Sequence, residues 1–167
     1  HRCAAVLLLT DVLPCCCSPM CCRVAAQPTD DTPKMLADGS LRCKFPRNFV
    51  GVTRIDPSIN FDWGTGLITN FGRDYVSARW VGKLKPEYTE TYTFYLYADD
   101  GVRMWLDHVK VIDSWQTTSV ETRYSAALDA SKYHDIRVEY KEHKGPAKVV
   151  LEWSSFSQAK EVVPADS

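Results

Sequence analysis

The sequence lacks several things whose absence narrows its class. No run of about 20 apolar residues is present, so the chain has no candidate transmembrane helix. There is no basic excess: the formal net charge is −1, which argues against a nucleic-acid binder and gives no pull toward an anionic membrane. No Asn-x-Ser/Thr acceptor site occurs. Ser, His and Asp are present, but not at the spacing of a nucleophile elbow. No long helical periodicity and no internal repeat are visible. Cysteine is nearly missing from the body: of seven, only Cys43 lies beyond residue 22, so no disulfide framework is expected. Cys43 is expected to be buried, with a bridge to a partner chain as the alternative.

The first 26 residues read as a separate segment. His1-Arg2 precedes an apolar run, and Val24-Ala25-Ala26 offers small residues at a cut site, a pattern that resembles a secretory signal. Cys15, Cys16, Cys17, Cys21 and Cys22 leave three other readings open: an acylated membrane tether, a soft-metal site, or a leader without a role. Residues 27–40 are polar, with Pro28, Pro33 and Gly39, and read as a linker. Residues 157–167 read as a tail.

What remains, 41–156, alternates with period two. Val76, Ala78 and Trp80 share one face of a strand. So do Tyr92, Phe94 and Leu96; Val102, Met104 and Leu106; Ile136, Val138 and Tyr140; and Ala147, Val149, Leu151 and Trp153. Turn residues separate these runs at Lys85-Pro86-Glu87, Asp99-Asp100-Gly101, Asp107-His108 and Lys144-Gly145-Pro146. The pattern predicts an all-β fold, an antiparallel β-sandwich behind an irregular N-terminal leader. Trp63, Trp80 and Trp153 are expected in the core.

Two adjacent acids at a strand end, Asp99 and Asp100, are the most informative chemistry in the chain. Paired carboxylates suit a hard cation, and calcium takes roughly six to eight oxygen ligands. They serve equally as turn formers that accept backbone hydrogen bonds. Asp107 and Asp113 are expected to end strands. Arg103, Trp105 and Trp115 are candidate ligand-binding residues, since indole faces stack on sugar C–H patches and a guanidinium bonds hydroxyls. Packing is the alternative for the two tryptophans, and an exposed strand arginine the alternative for Arg103.

The segments Ile55-Asp56-Pro57-Ser58-Ile59-Asn60-Phe61-Asp62-Trp63-Gly64, Val76-Ser77-Ala78-Arg79-Trp80-Val81-Gly82-Lys83-Leu84, the strand running into Asp99-Asp100-Gly101, and Val111-Ile112-Asp113-Ser114-Trp115 together resemble the protective-antigen (PA-14) domain family. Ile136-Arg137-Val138-Glu139-Tyr140 and Val149-Val150-Leu151-Glu152-Trp153 extend the likeness. The resemblance implies a β-sandwich of PA-14 type. It also implies that Asp99 and Asp100 are joined by a cis peptide and hold calcium, which in lectin-like members helps bind sugar hydroxyls. Those members add an asparagine from a later loop. Here 140–146 has none, and Glu142 is the substitute oxygen donor, with Lys141 and Lys144 as competing cations.

The resulting expectation is a secreted or cell-surface, non-catalytic module that binds a glycan or glycoprotein with calcium. Membrane contact is expected only through a retained, acylated leader. Two alternatives stand beside it: a protein-interaction domain of a larger extracellular assembly, and an accessory domain of a glycan-active enzyme.

Overall fold

The computed structural model describes residues 54–69, 72–74 and 76–164 in full, and the backbone of 7–9, 34–35 and 41–42. The expectations for Cys43, the cysteine cluster and nearly all of the leader and linker lie outside these residues. Among the described residues there is no helix.

Two antiparallel sheets face each other. The first contains β4 (Arg54–Asp56), β1 (Leu7–Leu9), β6 (Val76–Leu84), β11 (His134–Glu142), β8 (Gly101–Leu106) and β9 (Val109–Ser114), in that spatial order. In the second, β10 (Val120–Leu128), β7 (Glu90–Asp99) and β12 (Ala147–Ser154) run side by side. The far edge of β12 is divided: β5 (Asn60–Gly64) pairs with its first half and β13 (Glu161–Val162) with its second. A small separate ladder joins β2 (Lys34–Met35) to β3 (Leu41–Arg42).

The alternating apolar residues fill the space between the sheets. Trp80, Val138, Tyr140, Val102 and Met104 face inward from the first sheet, and Tyr92, Phe94, Leu96, Val149, Leu151 and Trp153 from the second; all are buried. Trp80 and Trp153 are core residues as expected, and Trp63 packs against the core while half-buried. An aromatic series crosses the interior. Phe61 stacks on Trp63 at 4.8 Å and on Trp80 at 5.8 Å, and Trp63 lies 6.0 Å from Tyr140.

Residues 157–167 are not all tail, since β13 and the buried Val163 belong with the second sheet, and three further features differ from the sequence reading. β10 has no counterpart there. Its inward residues, Val120, Thr122, Tyr124 and Ala126, are of mixed polarity, so the alternation that folding imposes is faint in the sequence. Asp113 does not end a strand; it lies inside β9 and pairs with Arg103. The Asp99-Asp100-Gly101 turn does not close a hairpin. β7 belongs to one sheet and β8 to the other, so Asp100 is where the chain crosses the sandwich.

Asp107-His108 is a genuine tight turn, with both residues at positive φ (47° and 67°). Beneath it His134 is buried. Its Nε2 accepts the Asp129 backbone N–H at 3.0 Å, which places its proton on Nδ1, 2.7 Å from Asp107 Oδ2. Burial alone would push the Asp107 carboxyl up, but hydrogen bonds from His134 and the Asp135 amide more than offset it and hold it below the usual value. One imidazole thus ties the β8–β9 turn to the β10–β11 loop. His134→Ala removes both bonds and leaves a void. It is expected to cost about 2–3 kcal/mol, read as a lower urea midpoint at unchanged slope.

Candidate functional site

At one rim of the sandwich the β7–β8 crossing meets the β11–β12 loop and the end of the β5–β6 loop. The peptide between Asp99 and Asp100 is cis, as the resemblance implies. Gly101 follows because nothing larger fits. A Cβ there would collide with the Trp115 carbonyl oxygen and with Lys141 Cε. The same close approach brings the Trp115 backbone against the crossing.

Asp100 is buried, and its Oδ2 accepts the His143 backbone N–H at 2.7 Å. Asp99, beside it, is half-buried. Burial, then the charge of Asp100, pushes its carboxyl above the usual range. Glu142, 2 % exposed, lies behind the pair. Its Oε2 accepts the Tyr140 hydroxyl at 2.9 Å, while Oε1 has no partner among the described residues. Burial pushes the Glu142 carboxyl up to about 7; the Tyr140 hydrogen bond opposes this, and the charges of Asp100, Asp99 and Asp74 add to it. Asp74 closes the group from the β5–β6 loop, where its Oδ1 accepts the Gly145 N–H at 3.4 Å.

Tyr140 organises this rim. Its hydroxyl is within hydrogen-bonding reach of both Glu142 Oε2 and the Asp99 backbone carbonyl, and its ring belongs to the aromatic series below. Burial, reinforced by Glu142, drives its own ionisation far above the usual range, so it acts as a neutral donor. The sequence shows Tyr140 as one more inward residue of β11. The signal for a second role is chemical: a buried phenol needs a partner for its hydroxyl. For Asp74 no sequence signal was available.

The fit of these residues to a hard cation can be judged from the donor set. Neighbouring carboxylate charge helps raise the proton affinity of Asp99 and of Glu142, and one Glu142 oxygen is buried without a partner among the described residues; a cation would relieve both conditions. Among the described residues, no group of three or more His, Cys, Asp or Glu side chains is placed to hold a metal ion. An ion would therefore take part of its coordination from backbone carbonyls, water or a bound ligand. Asp99 and Asp100 would hold it, with Glu142 adjacent.

The other candidates are distributed unevenly. Trp115 borders the crossing, and the Arg103 guanidinium and Lys141 ammonium lie 4.5 Å and 5.3 Å from its ring centre. Arg103 also donates to Asp113 Oδ1 at 3.1 Å. Trp105 is not brought to the rim. It lies four residues along β8 from Gly101, about 13 Å away in an extended strand, beneath the Arg137 guanidinium at 3.7 Å.

The PA14 domain profile matches residues 36–167. The chain belongs to the PA14 domain family. It is 49 % identical over 114 residues to the anti-sigma-I factor RsgI3 of Acetivibrio thermocellus, a match covering 67 % of this chain and 18 % of that protein. A solved anti-sigma factor domain-containing protein superposes with a TM-score of 0.66 at 47 % identity, covering 68 % of this chain and 41 % of that one. A PA14 sugar-binding domain from an RTX adhesin shares the fold, with a TM-score of 0.52 at 16 % identity over 68 % of this chain and 78 % of its own. This PA14 chain therefore spans less than half the length of either anti-sigma relative.

Proposed function

We propose that this PA14 domain is a non-catalytic, extracellular binding module that takes a glycan through a calcium ion held by Asp99 and Asp100. The observation that carries the reading is the rim itself. Asp99 and Asp100 are adjacent across a cis peptide there, Glu142 has a buried oxygen with no partner among the described residues, and the charges of Asp99, Asp100 and Asp74 act on Glu142. Bound calcium would supply open coordination positions to sugar hydroxyls. Tyr140 fixes the Asp99 carbonyl, the His143 amide fixes Asp100, and the β5–β6 loop contributes Asp74 to the local charge. The structurally similar adhesin domain is a sugar-binding one, which supports the ligand class. The anti-sigma relatives support a second element: this domain is the recognition part of a longer regulatory protein.

Calorimetric titration of calcium, followed by glycan arrays with calcium and with EDTA, tests the reading. The wild-type domain is expected to bind calcium below the millimolar range, and Asp99→Asn and Asp100→Asn to weaken it at least tenfold. Glycan retention is expected only when calcium is present. If the folded wild-type domain takes up no calcium at millimolar concentration, the reading is abandoned in favour of an interaction domain without a sugar site.

A further inference from the structure

The outer face of the six-stranded sheet has a chemistry different from the acidic rim. Residues in register across it form one row: Ile55 on β4, Val81 on β6, Arg137 on β11, Trp105 on β8 and Lys110 on β9, with Leu8 of β1 pairing between the first two. Ile55 is 68 % and Val81 41 % exposed. Arg137 lies over the Trp105 indole, and its Nε has no hydrogen-bond partner among the described residues. The row contains no carboxylate.

The neighbouring row, Arg79, Glu139, Arg103 and Asp113, supplies two carboxylates to both rows. Glu139 serves both Arg79, at 3.1 Å, and Arg137, at 3.6 Å. Asp113 serves both Arg103, at 3.1 Å, and Lys110. Four cations thus share two carboxylates in a chain whose net charge is −1, which makes the patch a local concentration of positive charge.

The geometry points to this face as a docking surface for an extended acidic polypeptide segment whose carboxylates alternate with aliphatic side chains. Charge complementarity selects the acids, and a guanidinium already stacked on an indole is preorganised to receive a carboxylate. Two features favour a polypeptide over a sugar chain. The Trp105 ring carries Arg137 over it, so the surface offers a guanidinium where a sugar would need a bare indole. Ile55 and Val81 continue the row as aliphatic contacts, which stabilise a protein partner by burial. At about 4.8 Å per strand, the row spans roughly 24 Å, the reach of about seven extended residues.

The test uses the whole chain and a soluble eight-residue peptide alternating glutamate with leucine, a lysine-for-glutamate version as control, and a polyuronate chain. Binding is read from the Trp105 indole resonance and from tryptophan fluorescence. The acidic peptide is expected to bind, to weaken about tenfold with Arg137→Gln, and to weaken further in high salt while EDTA has no effect. Val81→Ser, at an exposed position that does not threaten folding, is expected to weaken it about threefold. Insensitivity to EDTA separates this surface from the calcium rim, so either reading can fail alone. The inference is overturned if no acidic peptide binds at about millimolar concentration, if both variants bind as wild type, or if the polyuronate binds more tightly than the peptide.

Discussion

Glu142→Gln is expected to stabilise the calcium-free domain at pH 8 and to leave it nearly unchanged at pH 4. Burial and the surrounding acids hold the Glu142 carboxyl at about 7 in the folded chain, against an ordinary value of 4.5. A group whose folded value lies above its unfolded value contributes its stability in full below the unfolded value. That contribution is lost as pH rises from about 4.5 through about 7. Above that window the wild-type fold carries a buried charge, at a cost of roughly 1–3 kcal/mol. Glutamine keeps an acceptor for the Tyr140 hydroxyl and carries no charge, so most of that cost disappears. Urea denaturation in EDTA at the two pH values reads the effect directly. An equal change at both would show that Glu142 ionisation is not the cause. Saturating calcium should reverse the sign at pH 8, because a bound cation favours the ionised carboxylate that glutamine no longer supplies. Ligand binding at a hundredfold excess over the dissociation constant stabilises by about 2.7 kcal/mol, large enough for the reversal to be seen.

The fold was legible because its inner faces are written in apolar alternation. Trp80, Phe94, Val138 and Leu151 lie between the sheets where period two places them. β10 was not legible, because a strand whose inward face mixes Val120 and Thr122 with Tyr124 and Ala126 shows little contrast. Asp99 and Asp100 stood out as neighbouring acids at a strand end, and Glu142 emerged from the family likeness as the oxygen donor in place of asparagine. Trp105 shows the limit of such reading. Period two places it on the same face as Arg103, but a strand carries same-face residues steadily away from the turn, and the alternation contains no information on distance to the rim. Asp74 and the Gly145 amide meet across 71 positions, and only tertiary folding brings them together. The polarity of the β7–β8 connection was also hidden. A glycine after two acids reads as a hairpin, whereas here it lets the Trp115 backbone approach a crossing between sheets.

Trp80→Ala is expected to destabilise the fold by about 3–5 kcal/mol, a large fraction of the roughly 5–15 kcal/mol that holds a domain together. Trp80 is fully buried in the middle of β6 and its ring stacks on Phe61 of the opposite sheet, so alanine leaves a cavity between the two layers. The cost has a second part. Its Nε1–H donates to Asp56 Oδ2 at 2.9 Å, and Asp56 is itself buried with Arg54 as its other partner at 2.7 Å. Removing the indole leaves one oxygen of a buried carboxylate unsatisfied. Trp80→Phe separates the two parts, because it keeps much of the ring and removes only the donor. It is expected to cost about 1–3 kcal/mol, and Asp56→Asn should cost less in the Trp80→Phe background than in the wild type, since the lost bond can be lost only once. Chemical denaturation of the wild type, the two single variants and the double variant gives the coupling. Full additivity would mean that the indole and the carboxylate contribute independently, and that the Trp80 effect is packing alone.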